Sequence, residues 1–237
     1  MPIIPVRHTE PELLDLPLQE YSPEELEGTL ADIRLVNRYL GDITAVIKHL
    51  SVMAGAAAGS PLRVLDLATG SADIPAAIVD WARVRSLPIR ITAIDYNPRT
   101  VEVARQRIGD YPEIELAVAD ALSLPFPEKS FDIVLCSKTI HHFTEGQVVR
   151  LLQEVSRVAT RGYIVMDLRR SWIPYLLIRL LTRIFTGNRL TRYDGPLSVL
   201  RSFTVNELTS LAEAAGLSGF RVSPEPFWRI VLAGEVR

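Results

Sequence analysis

Five short apolar runs, each separated from the next by polar or amphipathic chain, constrain this sequence more than anything else in it. They fall at 62–68 (LRVLDLA), 89–95 (IRITAID), 114–120 (IELAVAD), 131–137 (FDIVLCS) and 162–168 (GYIVMDL). Runs this short and this uniformly apolar suit strands covered on both faces, which is the setting of a parallel sheet. Helix signals lie between and after them. Asn97 and Pro98 fit N-cap and first helical position, with Gly109 as the stop. Thr144 with Gln147, and Thr204 with Glu207, have capping-box spacing, and Gly216 ends the second of these helices. Two last runs, 219–224 and 228–234, are only a few residues apart, so they can pair only antiparallel. The expected fold is α/β, a doubly wound, mostly parallel sheet with an antiparallel edge strand. In such sheets ligands bind at the carboxyl ends of the strands.

The chain before residue 61 reads differently. Helical periodicity places Leu30, Ile33, Val36, Tyr39 and Leu40 on one face, and a small-residue stretch follows at 55–59. We expect a helical cap over 1–60 and one ligand-binding domain over 61–237. A net charge of −2 over 237 residues argues against a general nucleic-acid binder. The single cysteine, Cys136, excludes an internal disulfide and a cysteine-based zinc site, and no metal is expected. The opening residues lack a basic and then apolar leader pattern, and no window of about 18 apolar residues occurs. Cytoplasmic is the plain expectation.

The loop after the first run, VLDLATGSADIP at 64–75, decides between two nucleotide chemistries. A dinucleotide fingerprint needs glycines to admit a pyrophosphate at the helix start. Here one glycine remains, Gly70, where the backbone should approach its ligand most closely; Ala68 and Ala72 stand where others would be. Asp73 sits where the helix begins and would repel pyrophosphate, whereas Asp66 and Asp73 together favour a ligand carrying a sulfonium and an amine. Asp95, ending the second run, can take both ribose hydroxyls, and Asp120, ending the third, can accept from an adenine amine. An aspartate at each of the first three strand ends points to S-adenosylmethionine, with S-adenosylhomocysteine as product. An NAD-dependent oxidoreductase of similar topology is the rival enzyme. A noncatalytic cofactor-binding or membrane-associating scaffold is the rival from another class. An amino-directed base methylase is disfavoured, because the loop after the fourth run has no NPPY-type motif.

With VLDLATGSAD, AIDYNPRTVEVAR, ADALSLPFPEKSFDIVLCSKTIHHF and LLQEVSRV, the chain resembles the class I S-adenosylmethionine-dependent methyltransferases. Within them it is most similar to the family of the ubiquinone/menaquinone-biosynthesis methyltransferases. The resemblance covers roughly 34–165. It implies a Rossmann-like sheet of seven strands in the order 3-2-1-4-5-7-6, strand seven antiparallel. It also implies that Asp66, Gly70, Ser71 and Asp73 surround the methionine moiety and that Asp95 holds the ribose. Tyr96 would lie against the adenine, Asp120 and Ala121 at its edge, and Ser137 and Lys138 by the sulfonium. Asn37 or Arg38 would reach the cofactor carboxylate.

The acceptor end is less constrained. His141 and His142, in TIHHF, lie beyond the fourth run and have the pKa range for a general base; His142 is the first choice. Residues 169–200 fill the place of a lid. Within it 171–186 reads as a helix with an apolar stripe of Ile173, Leu176, Leu177, Leu180, Leu181 and Ile184. Arg169, Arg170, Arg179, Arg183, Arg189 and Arg192 flank or follow that stripe, and no acid intervenes between Asp167 and Asp194. The pattern suits a small hydrophobic, aromatic or quinone- or polyketide-like acceptor methylated on oxygen or carbon, or shallow contact with an anionic membrane. Arg192 and Tyr193 are candidates to bind an acceptor oxygen.

Overall fold

The structure, a computed structural model, describes residues 4–17, 19–55 and 60–236. Two helices, α1 (Pro23–Tyr39) and α2 (Asp42–Ala54), precede the sheet. β1 (Leu62–Leu67), α3 (Asp73–Val84), β2 (Ile89–Asp95), α4 (Pro98–Arg107) and β3 (Ile114–Val118) form its first half. β4 (Phe131–Ser137), α5 (Glu145–Val158) and β5 (Ala159–Leu168) continue it. Two helices follow, α6 (Trp172–Phe185) and α7 (Arg189–Arg201), then α8 (Val205–Ala214) and the hairpin β6 (Phe220–Glu225) and β7 (Arg229–Glu235).

The seven strands hydrogen-bond in the order β3-β2-β1-β4-β5-β7-β6, as expected. β1 to β5 are parallel, and β7 runs antiparallel to both β5 and β6. Burial follows the two-sided rule for parallel strands: every residue of β4 except Ser137 is buried. The core on one face is built from Val46 and Leu50 of α2 with Ile78 and Val79 of α3. On the other face it is built from Val148, Leu151 and Leu152 of α5 with Leu208 and Leu211 of α8. All three predicted caps form: Asn97 accepts from Arg99 and Thr100, and Thr144 and Thr204 close capping boxes.

The first sixty residues depart from the expected single cap. Gly41, at φ +84°, ends one helix and begins the next. α1 turns its apolar residues to a small separate core of Tyr21, Leu26, Leu30 and Leu190 from α7. α2 instead joins the sheet: a Cβ on Gly162 of β5 would meet Met53 Sδ at 3.0 Å, and Asp42 forms a buried ion pair with Arg229 of β7. Tyr39, expected on the apolar face, is exposed because the helix turns away from the sheet there. The stretch 56–59, read as a linker, lies outside the described residues.

The lid contains two helices where the sequence suggested one. α7 was hidden by Gly195 and Pro196 at its centre, residues that ordinarily break helices. The glycine has a packing reason: a Cβ there would meet Ile178 and Thr182 of α6 at 3.2 Å. Among the described residues no helix is long and apolar enough to cross a membrane.

Candidate active site

The loop between β1 and α3 departs from an ordinary strand-to-helix turn in one respect. Ala68, Gly70 and Ala72 all have positive φ, at 53°, 58° and 57°. The two alanines therefore adopt the conformation that glycines would supply, at a cost of about 1–2 kcal/mol each. Gly70 does not owe its identity to crowding by the protein, since a Cβ there would meet only Leu30 at 3.9 Å. Its left-handed φ is the reason within the chain itself.

Asp95 holds this strained loop in place. Its Oδ2 accepts from Gly70 N at 3.0 Å and its Oδ1 from Asn97 N at 3.0 Å, so one carboxylate bridges the loops that follow β1 and β2. Each oxygen keeps a second lone pair for a ligand hydroxyl. Asp66 is buried in β1, and burial pushes its carboxyl up to about 7, with the carboxylates of Asp73 and Asp95 adding to the shift. Burial also raises Asp95. Three acids in a partly closed site thus want a cation, which is the chemistry expected of them.

Ser71 is buried and donates to Asp73 Oδ1 at 3.1 Å, while Asn37 Nδ2 of α1 donates to Asp73 Oδ2 at 2.8 Å. Asn37 Oδ1 and Arg34 Nη1 are buried on the same side of α1 without a hydrogen-bond partner. Orphaned polar atoms in such a place are rare unless something else meets them. A guanidinium donor and an amide acceptor, side by side above Asp73, match the carboxylate and the amine of a zwitterionic amino acid. Arg38, the sequence choice, does not reach this side; it is exposed and its guanidinium lies over the Tyr39 ring. The correction is helical arithmetic, because Leu26, Leu30, Arg34 and Asn37 share one stripe and residue 38 is turned about 100° from 37.

At the outer strand ends, Tyr96 stands 76% exposed beside Asp95 and is not absorbed by strand-edge packing. Asp120 is exposed, its Oδ1 accepting from Leu122 N at 2.8 Å, and Ala121 is buried beneath it. Ser137 ends β4, and its carbonyl accepts from the Thr139 hydroxyl at 3.0 Å. Lys138 follows in a left-handed conformation, its ammonium 3.6 Å from Asp42.

Beyond β4 the chain makes one tight turn, Ile140–His142, that stacks the two histidine rings 4.2 Å apart. His141 is buried; its Nδ1 lies 2.7 Å from Asp167 Oδ1, and its backbone N–H donates to Asp167 Oδ2. Burial works against the charge on Asp167, but His141 and these N–H groups hold it below the usual carboxylate range. His142 Nδ1 lies 2.6 Å from Asp15 Oδ1. Burial opposes its charge, yet Glu12 and Asp15 together raise it to about 9, so this pocket favours positive charge at that ring.

No sequence signal pointed to the residues that complete this end. The segment before α1 lies across the turn, with Glu12 buried between the histidines, Ser198 and Arg201. Arg201, at the end of α7, donates to the carbonyls of His141, His142 and Glu10 and pairs with Asp15 at 2.9 Å. Asp194 of α7 accepts from the backbone of Leu13 and Leu14. Four of the lid arginines are accounted for elsewhere or are not free. Arg170 is buried on Pro5, Ser202 and Glu207, and the backbone of Arg169 is held at the strand edge by its N–H on the Trp228 carbonyl. Arg189 pairs with Glu25, and Arg192 donates to Thr186 O beyond α6. Arg192 is therefore spent on its own lid.

Residues 64–162 match a methyltransferase domain family. They contain β1 to β4 and the loops just described, within the sheet order given above. In this stretch and in its sheet order the chain is similar to S-adenosylmethionine-dependent methyltransferases. Its relatives include a demethylmenaquinone methyltransferase of Deinococcus radiodurans, 36% identical over 110 residues, which are 46% of this chain and 43% of that protein. A second, from Thermotoga maritima, is 27% identical over 188 residues, 71% of this chain and 74% of the relative. The chain thus spans less than half the length of the first and about three quarters of the second. The methyltransferase fold is shared with the human N-acetylserotonin methyltransferase solved with S-adenosylmethionine, at a TM-score of 0.69, 16% identity, and 97% and 63% coverage of the two chains. A methyltransferase from Aquifex aeolicus gives 0.63 at 16% identity, covering 92% of this chain and all of that one.

Proposed function

We propose that this protein moves the methyl group of S-adenosylmethionine to carbon or oxygen of a small hydrophobic acceptor of the quinone class, in the cytoplasm. The observation that carries the reading is the cluster of Arg34, buried Asn37 and Asp73, where the unmet Arg34 Nη1 donor and Asn37 Oδ1 acceptor fit an α-amino acid. The cofactor supplies a methyl already activated on sulfonium, so the chain has to bind, align and exclude water. Asp66, Ala68, Gly70, Ser71 and Asp73 surround the methionine moiety, with Arg34 and Asn37 above it. Asp95 takes the ribose hydroxyls, Tyr96 covers the adenine, and Asp120 and Ala121 meet its edge. Ser137 borders the sulfonium. The quinone class is supported by the demethylmenaquinone methyltransferases among the relatives and by the apolar lid.

At the acceptor end, His141 and His142 handle the proton of an acceptor hydroxyl. His141 is oriented through Asp167 and His142 through Asp15, and both present Nε2 toward Glu12. The α6 stripe from Ile173 to Ile184 remains between 40 and 62% exposed, with Arg179 and Arg183 also exposed. Contact with an anionic bilayer through this face would let an acceptor with a lipid tail enter without crossing water.

Calorimetry with S-adenosylhomocysteine tests the cofactor half: Asp95→Ala should lose about a hundredfold in affinity, since the buried N–H of Gly70 is orphaned as well. Unchanged affinity overturns the assignment. Turnover of a reduced demethylnaphthoquinone tests the acceptor, with sedimentation on phosphatidylglycerol vesicles for α6. Wild-type turnover by His142→Ala would remove that residue from the chemistry.

A further inference from the structure

The carboxylate of Glu12 and the two imidazoles make a second centre that cofactor binding does not use. His141 Nε2 stands 3.6 Å from Glu12 Oε1, and His142 Nε2 stands 3.9 Å from Glu12 Oε2. One ligand atom from each of the three residues falls within 4.8 Å of the others. These separations are too long for hydrogen bonds. Ligands about 2.1 Å from a shared ion lie roughly 3–3.5 Å apart, so small side-chain shifts bring the three into coordination.

The shell behind them has the same logic. Each histidine has its Nδ1 on a carboxylate, Asp167 at 2.7 Å for His141 and Asp15 at 2.6 Å for His142. Donation from Nδ1 leaves the lone pair on Nε2, and both Nε2 atoms face Glu12. Glu12 and His141 are buried, and Ser198 donates to Glu12 Oε1 at 2.9 Å, fixing the third ligand. Charge agrees: Glu12 and Asp15 face Arg201, whose donors are committed to three carbonyls and Asp15, and Asp167 stands behind His141. A divalent ion among these carboxylates would meet attractive charge on every side.

We infer that Glu12, His141 and His142 form a binding site for one divalent transition-metal ion of the imidazole-preferring kind, such as zinc, cobalt or iron(II). Two histidines and one carboxylate leave open coordination positions on the ion. Its use rests on the methyltransferase reading above: an acceptor hydroxyl would bind there as its anion, releasing its proton to water. The binding itself does not depend on that reading.

The test adds cobalt(II) chloride to the full-length, metal-stripped chain and follows the visible absorption of histidine-bound cobalt, with zinc chloride as competitor. One ion per chain is expected, with bands that zinc abolishes. Glu12→Gln and His142→Gln should both lose the bands. Asp167→Asn should weaken binding about 10- to 100-fold by releasing the His141 ring. Thermal melting and S-adenosylhomocysteine calorimetry on the same samples show whether each variant is folded and keeps its cofactor site. Absence of bands in the wild type, or identical binding in Glu12→Gln and His142→Gln, overturns the site. Cobalt binding without cofactor binding would retain the site and reject its use in methyl transfer.

Discussion

The two ends of the cleft are built in opposite ways. On the cofactor side, each acid sits at or beside a strand end and its neighbours are within a few dozen residues; Asp95, for instance, binds Gly70 and Asn97. On the acceptor side, no single segment suffices. Glu12 and Asp15 come from before the first helix, His141 and His142 from the turn after β4, and Asp194 and Arg201 from α7. A site set by strand ends inherits its geometry from the sheet, whereas one assembled from three remote segments holds only while all three are docked.

If this contrast is real, damage to one end should leave the other standing. The largest effect is expected from Arg201→Ala, which removes a buried guanidinium from Asp15 and Glu12 and frees three carbonyls. About 3 kcal/mol of stability should go, read as a lower urea midpoint. S-Adenosylhomocysteine affinity in the protein still folded should stay within about twofold, and a larger loss would mean that the ends are coupled. Next, Arg34→Ala should weaken S-adenosylhomocysteine binding about tenfold by removing one charge-assisted contact, while Arg38→Ala changes nothing. Equal losses from both would break the assignment of the α1 face.

A smaller, pH-dependent effect sharpens the cofactor side. Asp66 is pushed up to about 7 when folded, against about 4 in an unfolded chain. An acid with a raised folded pKa stabilises the fold relatively at low pH, and that advantage fades between about pH 4 and 7. Asp66→Asn should therefore be more stable than the wild type at pH 8 and lose most of that margin at pH 5, compared by urea melts. The wild type should also bind S-adenosylhomocysteine more tightly as pH rises through 7, and a flat profile would detach Asp66 from the ligand. The least effect is expected from Ala72→Gly. Relief of the positive φ, offset by unfolded-chain entropy, should raise stability by about 0.5 kcal/mol in thermal melts.

The same contrast explains what could be read in the sequence. The parallel strands, the terminal hairpin and the strand-end aspartates were legible because apolar runs and caps act over short distances, whereas the strand order came from the family resemblance. Asn37 was within reach of pattern reading. Arg34 was missed although it lies on the Leu26, Leu30 and Asn37 stripe, because an arginine on a buried stripe was not counted as facing inward. α7 was hidden by Gly195 and Pro196. Glu12 and Asp15 had no local mark at all, since their partners lie more than 120 positions away in the sequence.

Gly41 has a consequence for how such a chain can change. It separates α1, which packs with the lid, from α2, which is anchored to the sheet through Asp42 and Arg229. The segment before α1 and the two lid helices shape the acceptor end, while α1 meets the donor end as well. Changes in the leading segment and the lid helices can thus reshape the acceptor end alone, whereas changes in α1 are felt at the donor end through Arg34 and Asn37.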